Sequence, residues 1–169
     1  PEPGVMSRPP RSQSARLLDR RVLGRAFGFL GPVEAAASLA LVPLGAALFF
    51  GWPAVPVPSS GMERDALSTM VFAAIVLMQM ANAFECRSTP ASLFSIGPLS
   101  NRLLVAAVAV EALTLLAFVY VPPIQAALGL YPLSATQWLP VLITPWILLA
   151  AEEARKAVVR RRAPAHHRG

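Results

Sequence analysis

Four apolar stretches, almost free of charge, decide the solvent in which this chain can fold. Ala26–Trp52 contains Glu34 as its one charged residue. Ala66–Phe84 contains none, but holds Gln79 and Asn82. Leu103–Val121 contains Glu111, and Trp138–Ala151 has no charge at all. A helix needs about 20 mainly apolar residues to cross a hydrocarbon core roughly 30 Å thick. The first three stretches meet that length. The fourth, about 14 residues, reaches only about 21 Å. It must borrow length from 134–137 or from 152–159, or thin the bilayer locally. The expected fold is therefore all-α, an integral membrane bundle of four transmembrane helices. The spans fall at about 26–52, 66–85, 103–121 and 136–156, within a membrane domain over 26–162. A basic segment, 1–25, precedes that domain, and a short tail expected to fray, 163–169, follows it. At 169 residues there is room for one domain. With 55% hydrophobic and 14% charged residues, the chain cannot be an intrinsically disordered one.

The basic residues set the orientation. Six precede the first stretch: Arg8, Arg11, Arg16, Arg20, Arg21 and Arg25. Arg64 alone separates the first from the second, and Arg87 and Arg102 separate the second from the third. None lies between the third and fourth, and six follow: Arg155, Lys156, Arg160, Arg161, Arg162 and Arg168. Four crossings place fourteen Lys/Arg on one side and one on the other. Cytoplasmic segments carry the Lys/Arg excess, so both termini are expected in the cytoplasm. A net charge of +6 raises the question of nucleic acid, but the charges flank the apolar stretches, so a lipid bilayer is the expected partner. Trp52, Tyr120, Tyr131 and Trp138 fall at the expected outer interface, where aromatic belts form.

The connections agree. The first 25 residues are too Arg-rich for a signal peptide. Pro1, Pro3, Pro9 and Pro10 oppose the amphipathic helix of a transit peptide. Pro53, Pro56 and Pro58 make Gly51–Gly61 a short turn outside the membrane. Pro122 and Pro123 end the third helix, with one interfacial turn expected over Ile124–Leu128. Arg outnumbers Lys fourteen to one beside abundant Ala and Pro, which suggests a GC-rich bacterial genome.

Catalytic motifs are missing. There is no phosphate-binding G-x-x-x-x-G-K-[ST], no G-x-S-x-G elbow and no H-E-x-x-H. His166 and His167 fall in the tail, and Cys86 reads as a reduced structural thiol at the cytoplasmic end of the second span. The polar groups within the spans matter more, because an ionisable group in hydrocarbon is costly and is a functional candidate by default. Glu34 and Glu111 each read first as structural carboxylates paired with a neighbouring helix, and second as ion-handling groups. Gln79 and Asn82 are three residues apart and share a helix face. Their carbonyl oxygens suit a hard cation or a hydrogen bond to another helix. Glu85 extends that face toward the cytoplasm, where snorkelling would accommodate it. Small residues such as Ala35–Ala37, Ala73 and Ala74 permit close helix contacts.

The chain resembles the C-terminal membrane part of P-type cation-transporting ATPases of the calcium-pump type. Met6-Ser7-Arg8-Pro9-Pro10-Arg11 is similar to the segment after the sixth membrane helix in those pumps. Thr69-Met70-Val71-Phe72 and Gln79-Met80-Ala81-Asn82-Ala83-Phe84-Glu85-Cys86-Arg87-Ser88 resemble the eighth helix and its exit. Tyr120-Val121-Pro122-Pro123-Ile124-Gln125 and Tyr131-Pro132-Leu133-Ser134 resemble the connection between the ninth and tenth. Glu152-Glu153 with Arg155-Lys156 resembles the end of the tenth. The resemblance implies that the four spans are helices seven to ten of a ten-helix pump. It also implies what this chain lacks: the D-K-T-G-T phosphorylation motif and the nucleotide-binding domain, where ATP and magnesium would bind. No cofactor is therefore expected on this chain, which reads as a fragment without catalysis of its own. In two-site calcium pumps the eighth helix contributes a glutamate ligand, and the matching position here is Gln79. A neutral amide keeps the oxygen and loses the charge, which implies one calcium site fewer, or another ion.

The expected function is support of ATP-driven cation export, with calcium the family's substrate, across a bacterial plasma membrane. The implied partners are the remaining helices and cytoplasmic domains of the pump, whether fused to this chain or separately encoded. The alternative is a non-catalytic four-helix membrane scaffold or accessory protein.

Overall fold

The computed structural model describes residues 20–51, 61–87 and 92–162. The basic residues before Arg20, the Trp52 anchor with the prolines after it, and the tail with its histidines lie outside the described residues.

The first helix begins earlier than its apolar stretch. α1 (Arg20–Arg25) runs through a π-helical turn (Ala26–Leu30) into α2 (Gly31–Phe50). Pro32 has no N–H to donate to Gly28, and its ring crowds that carbonyl. The Gly31 N–H bonds Ala26 instead, so one extra residue is looped into the turn. Gly51 ends the helix in the left-handed region at φ 77°, its N–H returned to the Ala46 carbonyl.

α3 (Met62–Glu85) is the central helix, and α2, α5 and α7 all pack against it. Its buried face is built from small and flexible side chains, with Met70, Ala73, Ala74 and Met78 wholly buried. α2 packs against it at Gly45, where a Cβ would stand 2.7 Å from Leu67 Cδ2. With no side chain at that position the two backbones can approach, as small residues allow in membrane helix pairs.

A four-residue turn, α4 (Leu93–Ile96), and a 3₁₀ turn (Pro98–Ser100) lead into α5 (Arg102–Tyr120). Asn101 caps α5 by accepting from the Leu104 N–H at 3.2 Å. α5 is peripheral: Leu115 and Val119 are its buried residues, and Phe118 stacks on Phe72 of α3 at 6.4 Å. The expected interfacial turn is a seven-residue helix, α6 (Pro122–Leu128), which Gly129 closes at φ 65°.

α7 (Ala135–Arg162) has 28 residues, so the helix continues past the fourth apolar stretch into its charged C-terminal side. Its start is a capping box: the Ser134 N–H donates to Gln137 Oε1 at 2.8 Å, and the Gln137 N–H to Ser134 Oγ at 3.3 Å. Pro145 removes the donor that Val141 would have used. The Thr144 hydroxyl replaces it, donating to the buried Val141 carbonyl at 2.8 Å. Three helices are long and apolar enough to cross a membrane among the described residues: Val22–Phe50, Met62–Glu85 and Arg102–Tyr120. α7 is long enough, but Thr136, Gln137, two prolines and Glu152 dilute its apolar content.

Candidate functional site

Gln79 reaches across the helix interface. It lies exposed on α3, and its Nε2 donates to Glu34 Oε1 of α2 at 2.8 Å. Asn82, one turn on and half-buried, instead accepts from the Cys86 thiol at 3.6 Å within its own helix. The two amides that share a face therefore make different contacts. Glu111 is half-buried on α5 and has no hydrogen-bonding or ionic partner among the described residues. Among those residues no group of three His, Cys, Asp or Glu side chains converges to hold a metal ion. Cys86 is a free thiol, exposed at the end of α3.

A second polar cluster sits at the α3 C-terminus. Glu85 does not snorkel: it is 1% exposed and bonds Lys156 of α7, itself 1% exposed. Snorkelling fails because α7 covers the end of α3 and supplies the opposite charge. Lys156 also lies 3.5 Å from Glu153, whose carboxylate accepts the Leu93 backbone N–H at 2.9 Å and so docks the α4 turn. Glu152, wholly buried, holds Arg155 through two hydrogen bonds at 2.6 and 2.7 Å. The same carboxylate lies 2.7 Å from Arg25 of α1. Each buried charge thus meets an opposite one, the condition under which burying it is tolerable.

The opposite end is tied by neutral bonds. Tyr120 donates to the Leu133 carbonyl at 2.7 Å and accepts from Trp138 Nε1 at 2.7 Å. The Tyr131 N–H donates to Thr69 Oγ1 of α3 at 2.9 Å. Gln125 Nε2 donates to the Val119 carbonyl and folds α6 back on α5.

Residues 1–158 match the family described as "Cation transporting ATPase, C-terminus". The chain belongs to that family. It is the C-terminal membrane region of a P-type cation ATPase. It is 31% identical over 78% of its length to "Calcium-transporting ATPase type 2C member 2" of Mus musculus, covering 13% of that protein. It is 29% identical over 96% of its length to "Calcium-transporting ATPase 1" of Yarrowia lipolytica, covering 16%. It is 26% identical, again over 96%, to "Sodium/potassium-transporting ATPase subunit alpha-4" of Rattus norvegicus, covering 18%. The chain thus spans less than a fifth of the pumps it matches. Such relatives come from animals, yeast and bacteria, so they do not select the bacterial origin suggested by composition. Within the pump segment, sequence reasoning found Glu34 and Gln79 but missed their pairing, and it missed the Glu85–Lys156 pair entirely. The signal for the second was an acid–acid–x–base–base run at the end of an apolar stretch.

Proposed function

We propose that this segment is the membrane support of an ATP-driven pump that exports a cation, calcium being the substrate, from the cytoplasm across the plasma membrane. The observation that carries this reading is the family match across residues 1–158, joined to three helices of spanning length and composition. Four helices cross, α7 being the fourth. Its Trp138 bonds Tyr120 at the end of α5, and its Lys156 bonds Glu85 at the end of α3. Between those anchors it rises about 27 Å at 1.5 Å per residue, close to a hydrocarbon core. Arg25, Glu85, Glu152 and Lys156 gather at one end, where the Lys/Arg excess favours the cytoplasm, and this supports placing both termini there. Phosphorylation, and binding of ATP with magnesium, belong to parts of the pump beyond this segment. Gln79 stands where two-site calcium pumps are expected to use a glutamate, so the pump lacks the second calcium site or handles a different ion. Affinity and selectivity for a hard cation follow the number of charged oxygen ligands, which this substitution lowers.

Reading the coding frame upstream of the Pro1 codon tests the proposal. A continuous frame encoding D-K-T-G-T is expected. A stop codon close upstream, with no separately encoded partner that carries the motif, would overturn it and favour the accessory-protein reading.

A further inference from the structure

We propose that the end of the bundle where α1 meets α7 holds an anionic phospholipid of the adjoining leaflet. Its phosphate sits among the arginines of the two helices, and its chains lie over an exposed apolar rim. The inference needs only that these helices span a bilayer, and it does not depend on which cation the pump moves.

The fold brings two basic runs, far apart in sequence, to one place. Arg25 of α1 lies 2.7 Å from Glu152 of α7. α1 leads into the bundle and α7 leads out of it, so both leave the apolar part on the same side of that contact. Residues 19–25 and 152–162 together hold eight Lys/Arg and three Asp/Glu, and Glu85 of α3 adds a fourth acid. Four positive charges are left over. Three of the acids are already engaged: Glu85 by Lys156, Glu152 by Arg155 and Arg25, and Glu153 by Lys156 and the Leu93 N–H. Arg20, Arg160 and Arg161 stand exposed at the surface. Like charges gathered where two helices meet repel one another, and an anion set among them relieves that repulsion. The one lysine of the group is spent in the buried pair with Glu85, so the exposed cations are guanidinium groups. Their planar fork suits two phosphate oxygens at once.

An independent observation makes the anion a lipid rather than a soluble phosphate. The same turns carry exposed apolar side chains: Phe27 is 79% exposed, and Val22, Leu23, Val158 and Val159 are exposed as well. A soluble anion would leave them in water. A phospholipid covers them with its chains while its headgroup meets the arginines, the division of labour seen in interfacial helices. The depth agrees. Arg160 lies four residues beyond Lys156, so about 6 Å further along α7, which puts it at headgroup level. The opposite end offers no such site, because Arg64 stands there between Glu63 and Asp65.

The test titrates the whole chain in dodecyl maltoside micelles with dioleoylphosphatidylglycerol or dioleoylphosphatidylcholine, and bound lipid is counted by native mass spectrometry. Phosphatidylglycerol is expected to bind roughly a hundredfold more tightly, as several arginines near one anionic headgroup imply. Arg20→Gln with Arg160→Gln should weaken it roughly thirtyfold and leave phosphatidylcholine unchanged, which also shows that the variant is folded. Phe27→Ser should weaken both lipids alike, and Arg64→Gln neither. Equal binding of the two lipids by the parent chain would overturn the inference. So would a loss in Arg64→Gln as large as in the double variant, because net charge rather than this site would then govern binding. Glycerol phosphate, the headgroup without chains, should not displace the lipid at about ten times its concentration. Displacement there would show a soluble-phosphate site and overturn the lipid assignment.

Discussion

Replacing Lys156 by methionine should be among the most damaging single changes in this chain. Lys156 and Glu85 are each 1% exposed and bond one another across α3 and α7. Methionine fills the lysine stem but leaves Glu85 without its cation. One oxygen of that carboxylate, Oε1, already lacks a partner. Removing one member of a buried ion pair costs about 3–5 kcal/mol, because the other charge stays buried or must take up a proton. That is at least about a hundredfold in the folding constant. The reverse single change, Glu85→Leu, should cost less, because Lys156 keeps Glu153 at 3.5 Å. The double variant Glu85→Leu/Lys156→Met removes both charges at similar volume, and should lie within about 1 kcal/mol of the parent or above it. Equilibrium unfolding in mixed micelles, titrated with dodecyl sulfate and followed by far-ultraviolet circular dichroism, measures all three. If Lys156→Met were as harmless as the double variant, the ion pair would not be an energetic link between α3 and α7.

Further changes probe other contacts. Thr144→Val leaves the buried Val141 carbonyl without its donor and should destabilise the fold by about 1–3 kcal/mol in the same titration. Gly45→Ala drives a methyl into the end of the Leu67 side chain and should cost about 1–3 kcal/mol, with Leu67→Ala restoring part of the loss as a second variant. Tyr120→Phe removes the acceptor of Trp138 Nε1 and the donor to Leu133, and should raise amide exchange over 131–138 while leaving the Lys156 end unchanged.

Three of the helices were legible because each spanning run is long and almost wholly apolar, a signal that needs no partner to be read. The start of the first helix was not, because Arg20–Arg25 are helical yet charged, and hydropathy ends where charge begins. α7 was legible from its start to about residue 156, but not in its last turns, which run on to Arg162. Pro140 and Pro145 argue locally against a helix, and the Thr144 hydroxyl that relieves the second is visible only in three dimensions. The candidate site divides the same way. Glu34 and Gln79 stood out because polar groups in hydrocarbon are rare, but they are 45 residues apart in the chain, and no periodicity links them. Glu85 was misread because its partner lies 71 residues further on, so an ion pair looked like an interfacial acid. Resemblance to the pumps supplied what spacing lacked: a reason for an amide at position 79 to matter.

The most direct test of the central claim is ATP-dependent ⁴⁵Ca²⁺ uptake by the Yarrowia lipolytica pump carrying this segment as its C-terminal membrane part. Uptake into vesicles above the level of the pump truncated before the segment is the result expected. A chimera that reaches the membrane and is phosphorylated by ATP, yet accumulates no calcium, would contradict the claim that these helices support calcium transport.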